Sequence, residues 1–245
     1  MGQLEGQVAI VTGAGSGIGR ATAQAFAREG CRVALVGRRP EPLGELAAEL
    51  GAVALAVPAD VADPTAVDAA VAQVLAAWGR VDVLVNNAGL NVPGRHLPDV
   101  APQDWATVLQ VNLTGTFAMT QAVLPTMRAQ GSGTVINVSS IAGLRAFAPS
   151  GPAYSAAKAG VNSFTESLNL TERVHGIRAC AVCPGEVATP ILDRRPVPPS
   201  AEARELMLQP EDLAQTLLFV AALPARATVE LLSINPTVQR DTSKG

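Results

Sequence analysis

The sequence predicts an α/β fold in which a doubly wound parallel sheet is covered by helices on both faces. Three observations predict it. Apolar runs of strand length alternate with longer helix-like segments along the whole 245-residue chain, the order expected when helices form the crossovers of a parallel sheet. The first of these runs leads straight into a glycine-rich turn and a helix. Hydrophobic residues make up 48% of the chain, and at this length they can fill the core of one large α/β domain or two small ones.

The elements follow in order. Residues 8–12, VAIVT, read as a buried strand, and residues 17–29 as the helix after the glycine turn. The remaining strand candidates are 32–37, 52–57, 81–86, 133–139, 177–183 and 230–235, giving seven in all. Between them, helices are predicted at 42–50, 64–78, 102–130, 153–175 and 210–222. Several begin at or near a proline, where the missing N–H costs nothing. Pro125 lies late in the long fourth helix and is expected to kink it or end its regular part early. Residues 194–200 contain Pro196, Pro198 and Pro199. Too little chain follows for a second domain, so this stretch reads as a loop or lid rather than a linker. The expected organisation is one domain over residues 1–245, with a lid around 189–209.

Composition excludes several classes of function. A net charge of −3 offers no basic face for nucleic acid and no polybasic membrane anchor. No apolar run approaches the roughly 20 residues of a membrane span. The N-terminus has no basic and apolar leader, and Gly6 stands where a myristoylation motif needs Ser or Thr, so a cytoplasmic location is expected. Cys180 and Cys183 have a C-x-x-C spacing but fall on a predicted strand. Residues three apart there face opposite sides, so the pair reads as core packing rather than a metal or redox site. His96 and His175 have no partners at zinc-site spacing, and no metal site is proposed.

Two features carry chemistry. The chain's single tyrosine, Tyr154, stands four residues before Lys158, one of two lysines, and on a helix that spacing puts both on one face. Ionising a phenol of pKa about 10 at neutral pH needs a shift of about 3 units, or about 4 kcal/mol. An adjacent ammonium supplies part of it and a cationic cofactor more. The second feature is Thr12-Gly13-Ala14-Gly15-Ser16-Gly17-Ile18-Gly19 between a strand and a helix. This context marks the Rossmann type of dinucleotide site, because backbone N–H groups and the positive helix end meet a pyrophosphate where no side chain intervenes. The second strand ends in Gly37-Arg38-Arg39, with no carboxylate for a ribose 2′-hydroxyl. Two guanidinium groups suit a 2′-phosphate, so NADP(H) is expected over NAD.

With these residues assembled, the chain resembles the short-chain dehydrogenase/reductase family over essentially its full length. The matching elements are the glycine turn at 12–19, Asn86-Asn87-Ala88-Gly89, Asn112 in VNL, Ser139-Ser140, the Tyr154–Lys158 pair, and Pro184-Gly185-Glu186-Val187-Ala188-Thr189. The resemblance implies a seven-stranded sheet of order 3-2-1-4-5-6-7 and an oxidoreductase acting on CH–OH donors. Tyr154 would be the general acid or base, Lys158 would lower its pKa and hold the nicotinamide ribose, and Ser140 would bind the reacting oxygen. Asn112 would hold a water in a proton relay. The cofactor would meet Gly13, Gly15, Ser16, Gly17, Ile18 and Gly19, Arg38 and Arg39, Asp60 and Val61. It would also meet Asn87, Ala88 and Gly89, Tyr154 and Lys158, and Pro184, Gly185, Val187 and Thr189. Alternatives stay open: Ser139 for Ser140, helix packing for Asn112, a helix cap for Asp60. Thr12 is expected to brace the first strand.

Two departures stand out. The separation of Ser140 and Tyr154 is one residue longer than the family's commonest spacing, so the loop within 146–152 is expected to be reshaped beside the substrate. The ending Ile234-Asn235-Pro236-Thr237-Val238-Gln239, with Gly37-Arg38-Arg39, resembles a branch that oxidises 3-hydroxy acids and serine-type substrates with NADP. Arg194 or Arg195 is the candidate for a substrate carboxylate. The resemblance implies a small carbonyl or alcohol substrate and a homo-oligomer, a tetramer with a dimer as the alternative. The alternatives are a reductase of 3-oxoacyl thioesters on a carrier protein, docking through Arg145, Arg194 and Arg195, and a non-catalytic NADPH-binding sensor or scaffold.

Overall fold

A computed structural model describes residues 2–238, apart from the side chain of Arg194. Seven strands form one sheet: β1 (Val8–Thr12), β2 (Arg32–Gly37), β3 (Ala54–Pro58), β4 (Val83–Asn86), β5 (Gly133–Val138), β6 (Ile177–Pro184) and β7 (Leu231–Ile234). All pairings are parallel and the order is β3-β2-β1-β4-β5-β6-β7, as expected. Side chains alternate across the sheet. On β1, Ala9 and Val11 enter one core with Phe26, Leu43, Leu213 and Leu217, whereas Val8 and Ile10 enter the other with Val67, Val74, Met119 and Leu168. The first layer is therefore α1 (Gly17–Arg28), α2 (Pro40–Leu50) and α8 (Pro210–Ala221). The second holds α3 (Pro64–Trp78), α5 (Gly115–Gln130) and α6 (Pro152–Glu172), with α4 (Pro102–Leu109) against α6. Burial on both faces explains why the strands read as continuous apolar runs rather than alternating ones.

The structure corrects the long fourth helix. It is α4, then one π-helical turn at Gln110–Thr114, then α5. The helix continues to Gln130 past Pro125, which lies inside it. Buried Val123 and Met127 hold the turns around the proline, so the irregularity sits at 110–114 and the helix does not end early. The predicted lid contains a short helix, α7 (Ala201–Glu205), and a bridge from Val187 to Leu208 ties its return to the end of β6. Cys180 faces one core while Cys183 lies 3.6 Å from Asn162 of α6 on the other side. Burial pushes the Cys31 and Cys180 thiols up to about 12, leaving them unreactive. No helix among the described residues is long and apolar enough to cross a membrane. Gln239 of the predicted ending lies outside the described residues.

Candidate active site

The carboxyl ends of the strands open into a groove, the place where open α/β sheets bind ligands. Its two halves share Gly13, Ser16, Ala88, Gly89, Pro190 and Ile191. One half, about 390 Å³, is bounded by Gly15, Gly37, Arg38, Arg39, Asp60 and Val61. The other, about 250 Å³, contains Ser140, Tyr154 and Lys158.

The glycine turn follows from its backbone. Gly13 and Gly17 take φ of +67° and +51°, a region that side chains rarely adopt. A Cβ on Gly13 would lie 2.9 Å from Asn87 Nδ2, and one on Gly17 would lie 3.1 Å from Thr189 Cγ2. Ser16 begins α1 without a side-chain cap, so the first N–H groups of the helix face the groove, a donor set that fits a pyrophosphate. Gly19 does not line the groove. A Cβ there would lie 2.3 Å from the Gly13 carbonyl oxygen, so its role in this structure is to let the helix pack under its own turn. Thr12 braces the site: its Oγ1 donates to the Val85 carbonyl and accepts from the Asn87 and Ala88 N–H groups. Asp60 Oδ1 accepts from the Ala62 N–H at 3.0 Å, while the cap of α3 is Asp63, which accepts from Thr65. Arg38 and Arg39 are exposed and, among the described residues, make no ion pair. A nicotinamide dinucleotide with a 2′-phosphate therefore fits the residues present.

At the catalytic end, Tyr154 and Lys158 occupy the first two turns of α6, with Lys158 Nζ 5.5 Å from the centre of the tyrosine ring. Lys158 is 4% exposed, and its ammonium donates to the Val138 carbonyl at 2.8 Å. Burial draws its pKa down to about 8. Burial also pushes Tyr154 up to about 12, opposed by its hydrogen bond with Ser140 and then by the charges of Arg95 and Arg195. The lysine named from sequence is not among the groups that set this shift: the charges that lower it are those of Arg95 and Arg195, and burial outweighs them, so the phenol stands above its ordinary value rather than below it. Ser140 Oγ also accepts from the Ala142 N–H, whereas Ser139 Oγ turns into the protein and donates to the Lys158 carbonyl. Ser140 is thus the serine that meets Tyr154.

Asn112, in the π-helical turn, is fully buried and lies behind the groove wall. Its side chain clamps the Leu90 backbone, accepting from the N–H and donating to the carbonyl, both at 2.8 Å. A Cβ on Gly89 would lie 2.9 Å from Asn112 Oδ1 and 3.8 Å from Lys158 Nζ, so the glycine leaves open the space between them. Pro184, Gly185, Val187 and Thr189 line the catalytic half, as do Asn87, Ala88 and Gly89.

Sequence reasoning missed Arg95. It sits on the loop after β4, lines the catalytic half, and donates from Nη1 to the Ser150 carbonyl at 3.3 Å. Asn91 Nδ2 donates to the same carbonyl at 2.9 Å. The lengthened loop at 146–152 therefore seats Arg95, and that extra residue was the only signal of it in the sequence. Arg195 pairs with Glu186 at 2.6 Å, and the Arg194 side chain lies outside the described residues. Among the described residues, no three His, Cys, Asp or Glu side chains come together to hold a metal.

Known proteins agree with this geometry. A family model described as short chain dehydrogenase matches residues 7–197. The chain is 38% identical to sulfoacetaldehyde reductase 2 of Chromohalobacter salexigens over 241 residues, covering 95% of each chain. Among solved structures, it resembles the closed form of a serine dehydrogenase complexed with NADP+ (TM-score 0.89, 32% identity, 96% and 97% coverage). It also resembles the 3-ketoacyl-(acyl-carrier-protein) reductase of Brucella melitensis complexed with NADH (TM-score 0.88, 33% identity, 96% and 98% coverage). The order of the sheet, the glycine turn and the Ser140–Tyr154–Lys158 cluster thus belong to one scheme, and the chain is a member of the short-chain dehydrogenase family of oxidoreductases.

Proposed function

We propose that the protein interconverts a small alcohol and its ketone or aldehyde with NADP(H), and that Tyr154 carries the proton. The observation that bears most weight is the Tyr154 hydroxyl, sunk in the groove and hydrogen-bonded with Ser140. With a pKa near 12 the phenol keeps its proton at neutral pH, the state required of an acid in carbonyl reduction. NADP(H), held by the glycine turn with Arg38 and Arg39, would supply the hydride chemistry between the nicotinamide and the carbon that bears the reacting oxygen. Ser140 donates to the substrate oxygen as charge develops there. Tyr154 gives that oxygen its proton in reduction and takes it back in oxidation. The buried ammonium of Lys158 sits behind the phenol and favours its anion once the proton has left. Asn112 holds the Leu90 segment beside Lys158 and gives a proton its route to solvent. Arg38 and Arg39 take the 2′-phosphate, and their lack of a carboxylate partner supports NADP over NAD. The segment 189–209 covers the substrate. Exposed Phe117, Leu170 and Val174 along α5 and the end of α6 support a homotetramer, read out by light scattering. We place the enzyme in the cytoplasm.

A second reading, reduction of 3-oxoacyl thioesters, is favoured by an apolar cavity of about 100 Å³ next to the catalytic half. Ile141, Phe147, Leu206, Met207 and Val238 line it, and it shares Ile141, Phe147, Gly185 and Glu186 with the main site. The test is oxidation of NADPH, and separately NADH, over ketones, aldehydes, 3-oxo esters, 3-oxoacyl thioesters and diketones, with NADP reduction by 3-hydroxy acids alongside. Turnover of short carbonyl compounds with NADPH preferred is expected. A protein that binds NADPH and turns over nothing is a sensor, and preference for the acyl thioesters moves the assignment to the second reading.

A further inference from the structure

We propose that the substrate carries an anionic group, a carboxylate or a sulfonate, and that Arg95 binds it beside Tyr154. The proposal deepens the reading above and rests on it. Among the described residues, the charged side chains lining the catalytic half are Arg95, Lys158, Arg195 and Glu186: three cations against one carboxylate, in a chain whose net charge is −3. Lys158 is committed to the Val138 carbonyl and Arg195 to Glu186. Arg95 has no carboxylate partner among the described residues, and its Nε is buried with no acceptor.

An unmade hydrogen bond on a buried charged donor costs more than the same group would gain from being paired. Burial weighs most against the charge of Arg95, and Arg195, close enough to act on it, adds a like charge. One incoming anion answers both, since a guanidinium presents its donors in a planar fork matched to carboxylate and sulfonate oxygens.

The seat is built for the arginine. Gly151 has φ +76°, and a Cβ there would lie 3.2 Å from Arg95 Cα, so the glycine lets the 146–152 loop close over this residue. The loop's Ser150 carbonyl then holds Nη1, while Nε is left buried without an acceptor in a residue that lines the groove. The anion is not a cofactor phosphate. Arg95 lines only the catalytic half, whereas the glycine turn with the first N–H groups of α1 supplies the pyrophosphate site. Both arginine charges reach the Tyr154 hydroxyl. An anion on Arg95 therefore sits close to the reacting oxygen.

The test uses the NADP-loaded protein with 3-hydroxybutanoate, 3-hydroxypropanoate and 2-hydroxyethanesulfonate, each against its methyl ester. For the favoured acid, wild type is expected to show kcat/KM about 10–100-fold above the ester, the range of a charge-assisted hydrogen bond. Comparing the carboxylates with the sulfonate identifies the anion. Arg95→Gln should lower kcat/KM for the acid, through KM, about 10-fold more than for the ester, so that the ratio disappears, and Arg95→Lys should restore part of it. The melting temperature is the control for folding. Equal use of acids and esters by wild type, or equal loss of both in Arg95→Gln, overturns the proposal. Malonate titrated into NADPH-loaded protein supplies a readout without turnover. Binding that weakens about 10-fold in Arg95→Gln supports the anion site even if no alcohol reacts, in which case the catalytic reading alone fails. Equal malonate binding by the two proteins overturns the anion site.

Discussion

The half of the groove that holds Arg38 and Arg39 takes its walls from the glycine turn after β1 and from the ends of β2 and β3, all contributed by residues 13–61 apart from a few from 88–90, 111 and 190–191. The half that holds Tyr154 draws on 87–95, 138–158 and 184–195, segments far apart in the chain and mostly loops, together with Gly13, Ser16, Gly17 and Ile18. In the first half the shape of the turn is set by its backbone, since Gly13 takes a φ of +67° that side chains rarely adopt. In the second, side chains make up most of the lining, and their surroundings are set by loop length and by which loop meets which. On the function proposed above, one half is generic to the cofactor and the other is particular to a substrate.

Variants can break this separation or sharpen it. The largest effect in this group is expected from Lys158→Met, which removes the buried ammonium behind Tyr154. Turnover in reduction should fall about 10²–10⁴-fold, the range of a disabled acid–base group, with the melting temperature as the control for folding. Next come Arg38→Ala and Arg39→Ala. Each should weaken NADPH binding about 10-fold, leave NADH binding unchanged, and leave kcat at saturating NADPH untouched. A fall in kcat at saturation would show that the two ends are not independent.

The smallest effect is in the pH profile. Lys158 is charged below its pKa of about 8 and neutral above it. Tyr154, near 12, keeps its proton throughout. The kcat/KM for reduction, measured on the free enzyme, should therefore be level below pH 8 and decline as pH rises through it. A profile level to pH 10 would show that the lysine's charge is not used.

The same contrast explains what was legible in the sequence. The strands were readable because both faces are buried, and the glycine turn because φ restricts the residue type. Tyr154 and Lys158 were readable because helical spacing fixes their shared face. The π-helical turn at 110–114 was not, since Gln110-Val111-Asn112-Leu113-Thr114 carries nothing that distinguishes it from continuous helix. Nor could it be told from sequence that the helix runs on past Pro125 instead of ending early, which the packing of Val123 and Met127 explains. Asn112 could be named from the family resemblance, but its clamp on Leu90 needed coordinates. Arg95 looks in sequence like any surface arginine. Only the meeting of the 87–101 loop with the 146–152 loop puts its Nε out of solvent and beside Tyr154.

The central claim is that one phenol in the half that holds Ser140 and Lys158 moves the proton without holding the cofactor in place. Tyr154→Phe tests it in a single sample, with NADPH affinity followed by fluorescence and turnover by NADPH oxidation. The account predicts NADPH binding within about 3-fold of wild type and turnover lower by about 10²–10⁴-fold. Turnover that survives the loss of the hydroxyl would contradict it.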